Sequence, residues 1–314
     1  MSLDAAAATL ASHLLEQEFV EVLAHHDADG IAAASILCHA MFRAGGRFRL
    51  RIRPDITPEE IPREGSVLLC DFGSALQDLP DDVMVVDHHQ PRFEGELHVN
   101  PHLAGIDGDR NLSAAGAAYL VARKMGDNRD LAGLTLLGII GDGQVLEGPN
   151  REIANEGIAN GFITPGRGLL LAGRGLVEQI TLAIDPYLPG LSGEPDAART
   201  LVAAVTGEDE VDMETLLSRI VLKAAREASV TALCRLWGTT YSLGREVIDE
   251  AGDLTAVVDA CGKAGRGDIG ASLCLRSSHA LQEAREIIAR YRQSVITGVR
   301  EARRLDERVG LYEV

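Results

Sequence analysis

The sequence has few cysteines, few aromatic residues and no long apolar run. Its five cysteines contain no Cys-x-x-Cys pair, and an odd number without a disulfide framework is typical of a reducing compartment. No apolar stretch reaches the roughly 18 residues that a membrane span requires. The N-terminus has no basic segment followed by an apolar run, which predicts no signal peptide. We therefore expect a cytoplasmic protein.

Basic charge and aromatic rings are also scarce. The formal net charge is −17 over 314 residues, which excludes a uniformly basic surface that coats DNA but leaves a local basic groove open. One tryptophan, five tyrosines and six phenylalanines are too few for a broad aromatic platform on which nucleic-acid bases stack.

Short apolar runs alternate with helical patterns over the first half of the chain. Strands of four to six residues separated by helices predict an α/β fold, with a parallel sheet flanked by helices. The predicted strands are residues 19–24, 48–53, 67–71 and 82–87, and the predicted helices are residues 4–18, 31–43, 113–125, 130–140 and 150–160.

The second half of the chain has a different composition. Glycine and proline become frequent between about residues 161 and 195, which indicates a boundary. The sequence beyond is mostly helical, with one strand predicted at residues 269–275. The length also favours two lobes. We expect a main domain over residues 1–180, a connecting region over 181–210, and a second, smaller, mostly helical α/β lobe over 211–314.

Acidic residues and histidines stand at the ends of four apolar segments. The first is His25-His26-Asp27-Ala28-Asp29-Gly30, in which alternate side chains of an extended chain share one face. Asp71 ends the third predicted strand, Asp87-His88-His89 ends the fourth, and Asp142 follows an apolar run. Because the carboxyl ends of parallel strands lie along one edge of a sheet, we expect these side chains to meet there.

Such a group of carboxylates and imidazoles indicates a metal centre. Like charges at close spacing raise one another's pKa or require cations. Oxygen ligands with some imidazole suit Mn²⁺ or Mg²⁺, and the histidines favour Mn²⁺. Two such ions about 3.5–4 Å apart would activate a water for attack on a phosphoryl group.

The order His-x-Asp-x-Asp-Gly, lone Asp, Asp-His-His and Gly-Asp-Gly, spanning residues 25 to 142, resembles the four motifs of the DHH phosphoesterase family. Asn100-Pro101-His102 and residues 185–190 resemble its archaeal RecJ-like branch, which comprises single-strand-specific exonucleases. The resemblance implies a catalytic domain over residues 1–180. It implies a substrate-binding lobe over 211–314 that is shorter than in a RecJ-like nuclease.

The resemblance also implies a role for each motif residue. His25, Asp27 and Asp71 would hold one cation. A second cation would be held by the ligands Asp29, Asp71, His88 and Asp142. Asp71 would bridge the two ions, His89 would contact the scissile phosphate, and Asp87 would orient a histidine.

The substrate-binding residues are predicted less directly. Asn100 and His102 follow the Asp-His-His motif closely. The glycine-rich segment 261–270 lacks the histidine of the family's Gly-Gly-Gly-His type motif. Its backbone amides could still cradle a phosphate, although an ordinary turn fits the same sequence. The residues predicted to bind substrate are Asn100, His102, Lys263, Gly265, Arg266 and Gly267.

Three functions remain open from the sequence. The first is a RecJ-like exonuclease that acts on single-stranded DNA or RNA, or on short oligonucleotides, with water activated by two metals. The second is a hydrolase of small phosphates such as cyclic dinucleotides, nucleotide phosphates or pyrophosphate. The third is a binding partner of replication proteins such as the GINS complex, with little activity of its own. Intact acidic residues at all four motifs favour an enzyme.

Overall fold

The chain forms two compact units. The computed structural model describes residues 2–207, 211–306 and 311–313. The first unit consists of Met1–Thr164 and Tyr241–Ala284, and the second of Pro165–Thr240 and Arg285–Val314. Among the described residues, no helix combines the length and the apolar character needed to cross a bilayer.

The first unit contains a five-stranded parallel sheet. Its strands are β1 (Phe19–His25), β2 (Arg47–Arg53), β3 (Ser66–Cys70), β4 (Met84–Val86) and β5 (His98–Val99), in the spatial order β2-β1-β3-β4-β5. Residues 20–24 of β1 are all buried, as expected of a central strand covered on both faces. The predicted α/β fold with a parallel sheet is confirmed, although β5 is not evident from the sequence.

Twelve helices accompany the strands in the described part of the chain. They are α1 (Leu3–Glu16), α2 (Ala28–Arg43), α3 (Ala114–Met125), α4 (Ala132–Gly141), α5 (Gly148–Ala159), α6 (Leu176–Thr181), α7 (Pro195–Ala203), α8 (Met213–Ala224), α9 (Val230–Cys234), α10 (Ala251–Lys263), α11 (Gly267–Cys274) and α12 (Leu281–Glu301). Helix α2 is almost entirely buried, because it packs against β1 as well as α3, α4, α10 and α11. The five helices predicted in the first half of the chain are α1 to α5.

Loops cover the face of the sheet opposite α2. Leu23 of β1 and Leu69 of β3 form an apolar cluster with Ile56 and Ile61, which lie in the loop after β2. Phe72, Leu76 and Leu79, from the loop after β3, pack against the same cluster. This second layer fixes the loops that follow the strands at the carboxyl edge of the sheet.

The second unit is smaller and mostly helical, as predicted. Strands β6 (Thr164–Leu169) and β7 (Trp237–Ser242) pair with each other, and β8 (Arg303–Asp306) and β9 (Leu311–Glu313) form an antiparallel pair. Its core is built by residues such as Ile180, Leu188, Leu216 and Leu236.

The strand predicted at residues 269–275 is wrong, because residues 269–274 lie in helix α11 and Leu275 caps it. A short, mostly apolar run has no periodicity that separates a strand from a buried helix. Small residues allow α11 to approach its neighbours closely. A Cβ at Gly270 would lie 3.3 Å from the carbonyl oxygen of Val258 in α10, and one at Gly267 would lie 2.4 Å from Cγ2 of Ile52 in β2.

The two units divide the chain differently from the predicted domains. Residues 181–210 contain α7 and belong to the second unit rather than forming a separate connection. Residues 241–284 belong to the first unit, because α10 and α11 pack against α2. The predicted lobe of residues 211–314 is therefore split between the units, and composition gave no sign of this return to the first core.

A partly buried ion-pair network links residues 241–284 to the rest of the first unit. The guanidinium of Arg276 lies 2.8 Å from the carboxylate of Glu246, whose side chain is 1% exposed, and 2.6 Å from Asp130. Asp130 also pairs with Arg43 at the end of α2, at 2.7 Å. The network thus joins three distant parts of the sequence.

We predict that Arg276→Met destabilises the first unit, because it leaves the Glu246 carboxylate buried without its cation. The loss in the free energy of unfolding should be roughly 3 kcal/mol, the order found when one member of a buried pair is removed. Urea unfolding followed by circular dichroism measures it. The control is Arg129→Met, which removes an exposed pair with Asp127 and should change the midpoint far less. Equal effects of the two substitutions would contradict a special role for the network.

Candidate metal centre

The four motif segments meet at the carboxyl edge of the parallel sheet. His25 is the last residue of β1, and Asp27 caps helix α2, accepting a hydrogen bond from the Gly30 amide at 2.9 Å. Asp71 directly follows β3, and residues 87–89 follow β4. Asp142 caps the C-terminal end of helix α4. The sheet and two helix ends therefore place all four segments at one location.

Asp71 lies at the centre of this group. Its Oδ2 is 3.1 Å from Nδ1 of His25, and its Oδ1 is 3.3 Å from Nε2 of His88. The side chain is 1% exposed, and its Oδ1 has no hydrogen-bond partner. Its backbone has φ of +62°, a left-handed conformation that costs about 1–2 kcal/mol for most residues and less for Asp and Asn. The two oxygens thus face two different sets of side chains.

Two ligand sets share this location. His25, Asp27 and Asp71 bring one donor atom each within 4.8 Å of the others, and so do Asp29, His88 and Asp142. Asp71 also forms such a group with His88 and His89. The residues predicted for each of the two cations therefore lie together, with Asp71 between the two sets.

Burial and mutual repulsion act on the acidic groups of the second set. Burial, with the negative charges of Asp142 and Asp71, raises the pKa of Asp29 well above its usual range. Burial likewise raises the pKa of Asp142 to about 7, because its effect exceeds the lowering effect of the His88 charge, and the negative charge of Asp71 adds to the rise. Carboxylates in this position are stabilised in their ionised form by a cation.

The imidazoles respond in the opposite direction. Burial lowers the pKa of His25, but hydrogen bonds to Asp27 and Asp71 outweigh it and raise the pKa to about 10. Burial also lowers the pKa of His88, but its close pairing with the Asp71 carboxylate, together with the charge of Asp29, raises it to about 11. The protonated imidazoles of His25 and His88 therefore supply positive charge that a bound divalent cation would supply instead.

The residues present fit divalent cations. A buried carboxylate oxygen without a partner, four carboxylates and two or three imidazoles make an oxygen-rich donor set with some nitrogen, which suits Mn²⁺ or Mg²⁺. Among the described residues that form these sets there is no thiolate, the donor that favours structural zinc.

His88 is fixed in the orientation that a ligand needs. Its Nδ1 donates to the carbonyl oxygen of Gly108 at 2.8 Å, so Nε2 faces Asp71 and Asp142, each 3.3 Å away. Gln144 donates to the same carbonyl at 2.8 Å, and Asn150 donates to Gln144 at 2.8 Å. Sequence reasoning missed this support, because a backbone carbonyl carries no residue-type signal.

Asp87 organises the turn that carries both histidines. Its Oδ1 accepts from Nδ1 of His89 at 2.8 Å and from the His88 amide at 2.7 Å, and its Oδ2 accepts from the Ser74 amide at 2.9 Å. Burial raises the pKa of Asp87, but the hydrogen bond to His89, the charge of His89 and the backbone amides together outweigh it and hold the pKa well below its usual range. The structure thus brings Asp87 into the contact that the resemblance implied.

The residues predicted to bind substrate lie elsewhere or have other contacts. Asn100 is buried, and its amide donates to Ser74 at 2.9 Å and to the His89 carbonyl at 2.8 Å, so it supports the turn from inside rather than facing solvent. His102 is half-buried and lies 3.2 Å from the amide nitrogen of Gln90.

The glycine-rich segment forms a helix-to-helix turn and not a phosphate cradle. The amides of Gly265 and Arg266 donate to carbonyls of α10, at 2.9 and 2.8 Å, and are therefore used within the turn. The Arg266 side chain pairs with Asp268 and Glu283, and Lys263 lies 2.6 Å from Asp259. Gly267 packs against Ile52. This part of the substrate-binding prediction has no support in the described geometry.

Glycines bring the surrounding backbone close to the site. A Cβ at Gly138 of α4 would lie 2.0 Å from Oδ1 of Asp29, and one at Gly262 of α10 would lie 1.5 Å from the His26 carbonyl oxygen. Asp29 is held from the other side by the amides of Ala114 and Ala115 at the start of α3, both at 2.8 Å. Helix α10, far along the chain, thus supports the first motif.

Residues 20–139 match the DHH family, N-terminal domain. This segment covers less than half of the chain and includes every candidate ligand of the four motifs except Asp142.

Several proteins resemble this chain over most of its length. An uncharacterised protein of Methanocaldococcus jannaschii is 26% identical over 312 residues, which is 91% of this chain and 70% of that protein. RecJ of Thermus thermophilus, solved in complex with Mn²⁺, is 19% identical with a TM-score of 0.50, and the match covers 94% of this chain but 37% of RecJ. CDC45 of Entamoeba histolytica is 12% identical with a TM-score of 0.59, over 92% of this chain and 71% of CDC45. At these identities the solved structures show a shared fold.

We predict that Gly138→Ala weakens metal binding by the first unit without unfolding it. The new methyl group would displace the carboxylate of Asp29, and disturbing the support of a ligand typically costs 10- to 100-fold in metal affinity. Isothermal titration with Mn²⁺ measures the effect. Gly133→Ala on the same helix is the control, because its methyl would meet only the flexible side chain of Leu243 at 3.2 Å. Unchanged Mn²⁺ affinity in Gly138→Ala would count against Asp29 as a ligand.

Proposed function

We propose that this protein is a metal-dependent phosphodiester hydrolase that acts as an exonuclease on single-stranded DNA or RNA. The observation that carries the proposal is the position of Asp71 between the two ligand sets, with one carboxylate oxygen toward each of them. A shared carboxylate between two oxygen-rich sites is the arrangement used for in-line displacement at phosphorus.

Each ligand set has an assigned role in the proposal. His25, Asp27 and Asp71 would hold one Mn²⁺ or Mg²⁺ ion, and a second would be held by Asp29, Asp71, His88 and Asp142. When bound, two such ions lower the pKa of water and stabilise charge on the phosphate oxygens.

In this proposal, His89 is the side chain that contacts the scissile phosphate. Its side chain is 53% exposed, while Asp87 beside it is buried and accepts from its Nδ1 at 2.8 Å. Because Nδ1 is engaged, Nε2 remains to donate a hydrogen bond to a non-bridging oxygen of the scissile phosphate. The hydrogen bond to Asp87 raises the pKa of His89, which favours the protonated form of this donor. Asp87 is therefore a positioning residue for His89.

The choice of nucleic acid as substrate is supported by the fold. RecJ from Thermus thermophilus and an exonuclease RecJ bound to manganese share this fold over 94% and 95% of the chain. This chain spans 37% and 66% of those two RecJ chains, so the substrate remains a proposal. The rivals are a hydrolase of small phosphates and a partner of replication proteins such as GINS.

Digestion of end-labelled single strands tests the proposal. Wild-type protein with Mn²⁺ should shorten a single-stranded DNA or its matched RNA in steps, and Asp71→Asn should lower the rate at least about 100-fold, since it removes charge from the shared ligand. Asparagine tolerates the left-handed backbone as aspartate does, so the fold should persist. Asp78→Asn is the matched control, because Asp78 is exposed and has φ of +61°.

The alternatives give different results in the same assay. If the protein releases phosphate or nucleotide from small substrates and leaves both single strands intact, it is a hydrolase of small phosphates and not a nuclease. No hydrolysis of any phosphate ester would leave the partner-binding function.

We predict that His89→Gln lowers turnover more than metal affinity. The substitution removes the proposed donor to phosphate but leaves Asp71, Asp27 and the other proposed ligands in place. We expect kcat to fall by about 100-fold, within the range for a lost transition-state hydrogen-bond donor. Titration with Mn²⁺ should give an affinity close to that of wild type. His13→Gln on α1 is the control for loss of a histidine, and a parallel fall in Mn²⁺ affinity would make His89 a ligand instead.

A further inference from the structure

A cavity of about 250 Å³ opens beside the candidate metal centre. His25 and His89 border its inner end, together with the buried carboxylates of Asp71 and Asp87. The outer part is formed by the loops that follow β2 and β3. The residues of this part are Pro54, Asp55, Ile56, Phe72, Gly73, Ala75 and Leu76.

The apolar walls of this cavity are held by the core of the first unit. Phe72 and Leu76 pack against the cluster that contains Ile56 and Leu23. Gly73 has φ of +115°, and a Cβ there would lie 3.0 Å from Leu69 and 3.1 Å from Val85, so only glycine lets the loop lie this close to the sheet. The cavity is therefore part of the fold, with walls in place before substrate binds.

The charge around the cavity excludes a second phosphate group. Within the described part of the chain, no lysine or arginine lines it, whereas three aspartates do. The two histidines are engaged with carboxylates, His25 with Asp27 at 2.9 Å and His89 with Asp87 at 2.8 Å. In the outer part, where none of the proposed metal ligands lies, a neutral and largely apolar group suits the lining, since a phosphate dianion there would face Asp55 without a lysine or arginine among the described lining residues.

The volume and the position of the cavity limit further which chemical group it can hold. The volume is below the roughly 300–1,000 Å³ of pockets for drug-sized ligands, so it suits one ring system rather than a whole nucleotide. The ring of Phe72 offers an aromatic partner, and stacking on such a ring tolerates any base. The inner end adjoins His89, so a group in the cavity belongs to the residue next to the phosphate at the metal centre.

We propose that this cavity binds the nucleobase of a nucleotide joined to the phosphate that is cleaved. The proposal rests on the proposed function and narrows its substrate class. The preferred substrates would be phosphodiesters that carry a base, rather than pyrophosphate or esters without a base. A pocket that binds a single base needs few aromatic side chains, which agrees with the small number of aromatic residues in the sequence.

The test compares an intact dinucleotide with two analogues in which one base is missing, at the 5′ or the 3′ position. With wild-type protein and Mn²⁺, kcat/KM for one analogue should be about tenfold below that for the intact dinucleotide, the order expected from loss of one stacked base. The other analogue should be cleaved nearly as well as the dinucleotide.

A substitution that fills the cavity should abolish this preference. Ala75 is exposed and lines the cavity, so Ala75→Phe places a ring where the base would lie and should bring the ratio close to one. Gln77→Phe is the matched control, because Gln77 is exposed two residues away and does not line the cavity. It should keep the tenfold ratio.

The outcomes separate the pocket from the function on which it rests. If the wild type cleaves the dinucleotide and both analogues equally well, the base pocket is wrong and the phosphodiesterase stands. A tenfold ratio that persists in Ala75→Phe places the base elsewhere and also overturns the pocket. If the wild type cleaves none of the three compounds, the proposed function fails, and the base pocket fails with it.

Discussion

The structure of the first unit depends on the concentration of carboxylates at one edge of its sheet. Asp27, Asp29, Asp71 and Asp142 converge where β1 and β3 end, and burial opposes their ionisation. For Asp29 and Asp71 the consequence is a raised pKa. A parallel sheet makes this convergence possible, because its strands all end at the same edge. A cation would relieve the repulsion, so the candidate metal centre and the ionisation of these carboxylates depend on the same arrangement.

Close packing around the site follows from the same constraint. Side chains that must face a common point need backbone segments that approach to within contact distance, and glycine permits this. Gly138 makes room for Asp29, Gly108 presents its carbonyl to His88, and Gly262 allows α10 to touch the carbonyl of His26. The left-handed backbone of Asp71 is a local cost of the same kind. The surrounding hydrogen bonds, such as that from the Asp71 amide to the Val86 carbonyl at 2.8 Å, hold it in place.

The sequence predicts the sheet well and brings the candidate ligands to its carboxyl edge, for a physical reason. Buried parallel strands are short apolar runs, and ligands such as Asp71 and His88 follow them directly, so both signals are local. Residues 269–275 were predicted incorrectly because an apolar run of that length fits a buried helix equally well. The role of Asn100 was missed because its burial depends on contacts with Ser74 and His89, which are distant in sequence.

Supporting contacts made by the backbone are even less visible in a sequence. Nothing in the residue type of Gly108 indicates that its carbonyl orients His88. The same holds for the amides of Ala114 and Ala115, which bind Asp29 because they begin helix α3. The start of helix α3 can be predicted from its cap, Ser113. That its first amides bind Asp29 cannot be predicted, because Asp29 is distant in sequence.

The division of the chain into two units separates the question of the shared fold from the choice of substrate, because the candidate metal ligands and the inserted unit lie in different parts of the sequence. The DHH match covers residues 20–139, which contain every motif ligand except Asp142. Residues 241–284 return to the first unit and support it through Gly262 and Arg276, although they follow an intervening second unit. A unit inserted between two segments of a core can vary while that core is kept, because few contacts cross a domain boundary. The candidate metal ligands all lie in the first unit, and a shared fold alone does not transfer a substrate from one protein to another. Within the first unit, the loops after β2 and β3 can supply selectivity beside the metal centre, because they border it without contributing any of its ligands beyond Asp71.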